Sequence, residues 1–108
     1  MDAASRLRAL YDAFNARDID AVLAALADDV DWPNAWEGGR LHGRAAVRDY
    51  WTRQWAQTEP HVEPTAIQTL PDGRVAVDVH QTVGDRAAEV RHVYAFADGL
   101  VTRMDVEA

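Results

Sequence analysis

Two polar side chains stand in rows that are otherwise apolar, and they are the first candidates for chemistry in this sequence. In Arg74-Val-Ala-Val-Asp-Val-His-Gln-Thr-Val83 the valines at 75, 77, 79 and 83 recur at a period of two, and Gln81 falls in the same row. In the next segment Val90, His92, Tyr94 and Phe96 form a second row. A buried polar group needs a partner. An imidazole and a carboxamide on a greasy face are therefore either the wall of a pocket or groups that satisfy each other or the backbone. Histidine is the side chain suited to moving protons near neutral pH. Tyr11 adds a third polar tip: its ring belongs to the helical stripe Leu7, Leu10, Tyr11, Phe14, while its hydroxyl must find a ligand, a carbonyl or solvent.

Other chemistries lack their residues. His42, His61, His80 and His92 have no metal-ligand spacing such as His-Glu-x-x-His, so no metal is expected. There is no cysteine, which excludes disulfides and thiolate nucleophiles and fits a reducing cytoplasm. No Gly-x-Ser-x-Gly or glycine-rich phosphate loop occurs, and no cofactor is expected. Eleven arginines and no lysine face 18 acidic residues, for a net charge of −7, which argues against a nucleic-acid partner. Charges occupy the N-terminal stretch where a signal peptide needs an apolar run, and no segment is long enough to span a membrane. These features fit a cytoplasmic protein, and a pocket walled by the apolar rows fits a small apolar molecule as its partner.

The elements that must position these groups can be read in order. Residues 3–15 form an amphipathic helix. Asp18 is an N-cap for a second helix whose stripe, Val22, Leu23 and Leu26, runs through Ala27. Asp28 and Asp29 oppose a helix C-terminal dipole and belong to a loop feeding a strand at Val30-Asp31-Trp32. An irregular loop from Pro33 to Arg40 carries Trp36, with Trp32 at its entry; such tryptophans fold over a cavity or seal the core. Gly43 introduces a third helix, Arg44 to Gln54, whose wide apolar side holds Val47, Tyr50 and Trp51, with Trp55 following. His61 to Leu70 reads as a strand in which Pro64 marks an edge or a bulge. Gly84-Asp85 and Asp98-Gly99 are hairpin turns between the last three strands. The sum is a single α+β domain over residues 1–108.

Four pieces in register carry a resemblance: Phe14-Asn15-Ala-Arg-Asp18-Ile-Asp20, Leu26-Ala-Asp28-Asp29-Val-Asp-Trp32, His42-Gly43-Arg-Ala-Ala-Val47, and His92-Val-Tyr-Ala-Phe96 with Asp98-Gly99-Leu-Val-Thr-Arg-Met-Asp105. On them the chain resembles the nuclear transport factor 2-like superfamily, in its SnoaL-like and ketosteroid isomerase-like branch. The resemblance implies a cone in which a curved antiparallel (mixed) sheet packs on three N-terminal helices around a pocket, and a homodimer through the sheet. It also implies a cofactor-independent isomerase, cyclase or dehydratase acting on a carbonyl compound, or a non-catalytic binding or dimerisation module of the same fold. The pocket walls expected are Trp32, Trp36, Trp51, Trp55, Val77, Val79 and Tyr94, with Asn34, Gln81 and Tyr11 supplying hydrogen bonds.

The steroid isomerase pattern fits poorly. Its base position falls at Asn34, its sheet aspartate at His92, and its helix tyrosine at Leu10, one residue from Tyr11 and about 100° around the helix. The SnoaL-like cyclases instead imply a catalytic pair of His92 with Asp105 on the last strand. A hairpin turning at Asp98-Gly99 puts His92 opposite a residue near 105. Thr102, Met104 and Val106 alternate as the apolar set of that strand, however, which sends Asp105 to the other face unless a bulge shifts the parity. An inward Asp105 predicts a raised histidine pKa; burial alone predicts a lowered one and a binding pocket. His80 and Asp78 lie on the face opposite Gln81, expected to be solvent or dimer surface.

Overall fold

Helix α1 (Ala3–Asn15) starts where Asp2 accepts a hydrogen bond from the Ser5 amide, 2.8 Å. Its stripe Leu7, Leu10, Tyr11, Phe14 is buried. The computed structural model describes residues 2–35 and 37–107. After α1 come α2 (Ile19–Ala24), β1 (Leu26–Pro33), β2 (Arg40–His42), α3 (Arg44–Gln57), β3 (Pro60–Thr69), β4 (Val75–Val83), β5 (Arg86–Ala97) and β6 (Leu100–Glu107). The strands form one six-stranded sheet in the order β2-β1-β6-β5-β4-β3. All neighbours pair antiparallel except β1 and β6, so the sheet is mixed. The three helices lie on one face, and Val47, Tyr50 and Trp51 of α3 meet the α1 stripe and the inward sheet residues in one core.

Helix α2 is three residues shorter than the sequence suggests. It ends at Ala24, and Leu26, expected on its stripe, begins β1 with no exposed surface. The Ala25 carbonyl accepts from the Val101 amide at 3.0 Å, so the sheet takes over the chain before the apolar spacing ends. The short strand β2, expected as loop, pairs with β1 through Asp31↔His42, Trp32↔Leu41 and Pro33↔Arg40. Helix α3 runs on to Gln57, where the Thr58 amide donates to the Gln54 carbonyl at 2.8 Å.

Two irregularities set side-chain directions. In β3 the pairing passes from Pro64↔Val79 to Ala66↔Asp78, which leaves Thr65 as an extra residue, as a proline in a strand favours. In β6 it passes from Ala95↔Arg103 to Phe96↔Val101, which leaves Thr102 unpaired. The hairpin between β5 and β6 turns at Asp98, φ 52°, and Gly99, φ 79°, both positive as a type I′ turn demands. Gly99 is needed twice, because a Cβ there would sit 2.9 Å from Nη1 of Arg6, which donates to the Gly99 carbonyl.

Candidate functional site

A cavity of about 130 Å³ opens between α1, the middle of α3 and the inward face of the sheet. Helix α1 contributes Leu10, Tyr11 and Phe14, and α3 contributes Trp51. Trp32, Pro33 and Ala35 come from β1 and the loop after it, and Pro60 and Val62 from β3. The remaining wall is Val22 of α2, Gln81 of β4, Val90, His92 and Tyr94 of β5, and Met104 and Val106 of β6. Val106 is 43% exposed and Ala35 is exposed, with Gln81 and Val90 half-buried, so this end is the mouth. Tyr11, His92 and Tyr94 are 3%, 7% and 1% exposed and form the deep end.

At the deep end a hydrogen-bond chain joins two elements far apart in sequence. The Tyr94 hydroxyl donates to the Tyr11 oxygen at 2.9 Å, and the Tyr11 oxygen lies 2.8 Å from Nδ1 of His92. Burial raises both phenol pKa values well above the ordinary range, so both hydroxyls keep their protons. Burial also lowers His92 to about 4, so its imidazole is neutral at pH 7. The simplest polarity that serves every group runs from Tyr94 to Tyr11 to Nδ1, which leaves the ring proton on Nε2. No hydrogen bond from Nε2 to a described residue competes with a ligand, and the His92 ring lines the cavity. The site can therefore offer one oriented neutral donor among aromatic and aliphatic walls.

Asp105 corrects the expected catalytic pair. His92 is opposite Val106 in the ladder, while Asp105 is opposite Val93, whose side chain points to the outer face. The Thr102 bulge lies before Asp105, and the inward pair Tyr94↔Met104 beyond it fixes Asp105 outward. There its carboxylate accepts from Arg103 at 2.9 and 3.0 Å and from Arg40 at 3.1 Å. The hydrogen bond from Arg103, with Arg40 nearby, holds its pKa below the usual carboxylate value. Arg40 also binds Asp31 Oδ1 at 2.7 Å and the Met104 carbonyl at 2.8 Å, clasping β1 to β6 from outside.

Of the other residues expected at the pocket, Tyr11, Trp32, Trp51, Gln81 and Tyr94 meet there. Tyr11 reaches His92 although the isomerase tyrosine position falls at Leu10; neighbouring positions on α1 both face the cavity. Val77 and Val79 face inward but are wholly buried in the core and do not line the space. Trp55 packs on Phe14 and Trp51, with the Arg17 guanidinium over its ring, outside the cavity. Asn34 folds into its own loop: its Oδ1 accepts from the Glu37 amide at 2.9 Å and its Nδ2 donates to Glu37 Oε1 at 3.3 Å. Trp36 lies outside the described residues. Sequence reasoning did not name Pro33, Ala35, Pro60 and Val62 as wall residues, nor Leu10, Phe14, Val22, Val90, Met104 and Val106, although the last six were legible as members of apolar stripes and rows. No group of three or more His, Asp or Glu among the described residues could hold a metal ion, and no helix there is long and apolar enough to cross a membrane.

The family model for the SnoaL-like domain matches residues 7–104. The chain belongs to the SnoaL-like domain family. Its three helices on a mixed six-stranded sheet are the α+β cone of nuclear transport factor 2-like proteins. Solved structures similar to this SnoaL-like domain include a protein from Kribbella flavida provisionally named a ketosteroid isomerase, 28% identical, with a TM-score of 0.76 over 94% of this chain and 73% of that one. A protein from Xanthomonas campestris pv. campestris provisionally named a polyketide cyclase is 27% identical, with a TM-score of 0.81 over 96% and 87% of the two chains. Another from Sinorhizobium meliloti, also provisionally named a polyketide cyclase, shares the fold at 19% identity, with a TM-score of 0.84 over 95% and 94%. Among curated proteins none matches the sequence significantly.

Proposed function

We propose that this SnoaL-like domain takes a small apolar carbonyl compound into the cavity and acts on its oxygen through His92, as a cofactor-independent enzyme of the isomerase, cyclase or dehydratase type. The observation that carries this reading is the chain from Tyr94 through Tyr11 to Nδ1 of His92 at the wall of an apolar space; the polarity that satisfies every group in that chain puts the ring proton on Nε2, as the donor this reading uses. A carbonyl oxygen seated against Nε2 gains electron density as a water molecule or hydroxide ion entering from the mouth takes a proton from the carbon beside it, leaving an enolate oxygen on Nε2–H and the proton in solvent. The donor then strengthens as charge develops, and the dry, fixed surroundings make that gain larger than it is in water. The Tyr11 hydroxyl on Nδ1 draws density from the ring and makes Nε2–H a better donor. His92 thus serves as an electrophile; with its basicity lowered by burial it is a weak base at neutral pH.

A second reading is favoured by one specific observation: none of the described residues lining the cavity is a carboxylate, and Asp105 is held outside by arginines. Without a base of adequate strength the same pocket is a binding module. Deuterium uptake separates the two. Acetophenone incubated with the protein in D₂O should exchange its methyl protons faster than in buffer, and His92→Phe should abolish the excess while acetophenone still binds. Binding by the wild type with no excess exchange establishes the binding-only reading. We also assign a homodimer to the outer sheet face, as the nuclear transport factor 2-like resemblance implies; ion pairs such as Arg91 with Asp78 lie on that face beside Ala76 and Val93, which are buried within one chain. Sedimentation equilibrium at micromolar concentration that finds only a 12 kDa species refutes it.

A further inference from the structure

We infer that the ligand of this cavity is a neutral molecule of one six-membered ring that carries an acceptor oxygen at one end and a second polar group at the other. The inference rests on the cavity around His92 being the functional site, and it adds size, charge and polarity to that reading. Size follows from the volume. At about 130 Å³ the space is close to the roughly 150 Å³ of an apolar cavity known to hold benzene, so one six-membered ring fills it and the rest of a fused-ring body would stand out through the mouth. The aromatic rings of Phe14, Trp32, Trp51 and Tyr94 line it, which suits a flat ring.

Charge follows from the lining. No arginine, aspartate or glutamate is among the described residues around the cavity, so a carboxylate or ammonium would enter without a counter-ion and lose its hydration uncompensated. The chain's net charge of −7 acts further against anions.

The second polar group follows from Gln81. It is the one amide in the inward row of β4, it lines the cavity near the mouth, and its carboxamide makes no hydrogen bond with a described residue, while its backbone lies in the ladder opposite Val62 and Ala88. Val77, the partner of His92 in the ladder, lies four positions before it, roughly 13 Å along the strand. A ring with a polar group at each end bridges that interval once both side chains reach into it. Gln81 supplies a donor and an acceptor to the outer group, while His92 supplies a donor to the inner oxygen.

The test is a titration at pH 7 of wild type, Gln81→Leu and His92→Phe with four probes: acetophenone, 4-hydroxyacetophenone, benzoate and 4-androstene-3,17-dione. Emission of the lining tryptophans reports occupancy, and calorimetry checks it. Both ketones should saturate, benzoate should bind at least about tenfold more weakly, and the four-ring dione should show no saturable binding. 4-Hydroxyacetophenone should exceed acetophenone by about three- to tenfold in the wild type and lose that advantage in Gln81→Leu. Benzoate or the dione matching acetophenone overturns the inference, and so does a hydroxyl preference that survives in Gln81→Leu. Acetophenone should bind His92→Phe more weakly; an unaltered affinity there, with size and charge discrimination intact, overturns the proposed function and the seat of the inner oxygen on His92, and leaves the size and charge of the ligand standing. Failure of both ketones to bind the wild type overturns both.

Discussion

Acidification should destabilise this protein through His92 in a way that can be isolated from its carboxylates. The native imidazole titrates at about 4, against 6.5 for the unperturbed group, and burial is the cause. A base whose folded pKa is lowered binds fewer protons in the native state than in the unfolded one. Its stabilising contribution is therefore intact above about pH 6.5, lost progressively as pH falls from there towards 4, and constant below. The difference between the two values corresponds to roughly 3 kcal/mol when complete, a large share of the stability of a domain this size. The side chain is 7% exposed, so solvent screening reduces the figure little. Urea unfolding at pH 7 and pH 4.5 of the wild type and of His92→Phe supplies the measurement, because all carboxylates are common to both and cancel. The wild type should lose roughly 2 kcal/mol or more beyond what the variant loses. Equal losses in the two proteins refute the reasoning. So does an NMR titration that places the His92 midpoint at or above 6.5, since only a nearby anion could hold the proton there.

Three further outcomes follow from particular contacts. Tyr11→Phe leaves both the Tyr94 hydroxyl and Nδ1 of His92 without a partner and should cost about 2–4 kcal/mol in chemical denaturation; a loss under about 0.5 kcal/mol shows that the chain is not formed. Asp105→Asn should leave the His92 NMR midpoint unmoved, because its carboxylate is engaged by Arg40 and Arg103 on the other face, and a shift of half a unit would contradict that placement. Gly99→Ala should lower stability by about 1–2 kcal/mol through its positive φ and the crowding of Arg6, read as a lower Tm; an unchanged Tm overturns the account of the turn.

The parts legible in the sequence are those set by local periodicity. The inward rows of β4 and β5, the Asp98-Gly99 turn, the α1 stripe and the bulge at Pro64 all arise from residues within a few positions of one another. Leu26 was misplaced because its spacing suits a helix and a strand alike, and only pairing with Val101 decides between them. Strand β2 is three residues long and carries no period to read. Within the site, His92, Tyr11 and Gln81 could be singled out as polar groups on apolar faces, yet which inward residues touch open space depends on what the helices cover. That is why Val77 and Val79 are core while Met104 and Val106 are wall. Asn34 looked available because its own loop, which consumes both ends of its amide, cannot be read from composition.

The extra residue at Thr65 bears on how this protein behaves when crowded. Strand β3 is the outermost of its side of the sheet and runs for ten residues, long enough to template an incoming strand from another molecule. Midway along it Pro64 brings no N–H, and the bulge beside it breaks the alternation of outward donors and acceptors. A foreign strand docking there would find one half in register and the other half out of it. At the opposite rim β2 offers three residues. Sheet growth is thus obstructed at both margins, and fibril-like stacking is disfavoured by the backbone itself, leaving broad faces as the surfaces through which copies can meet.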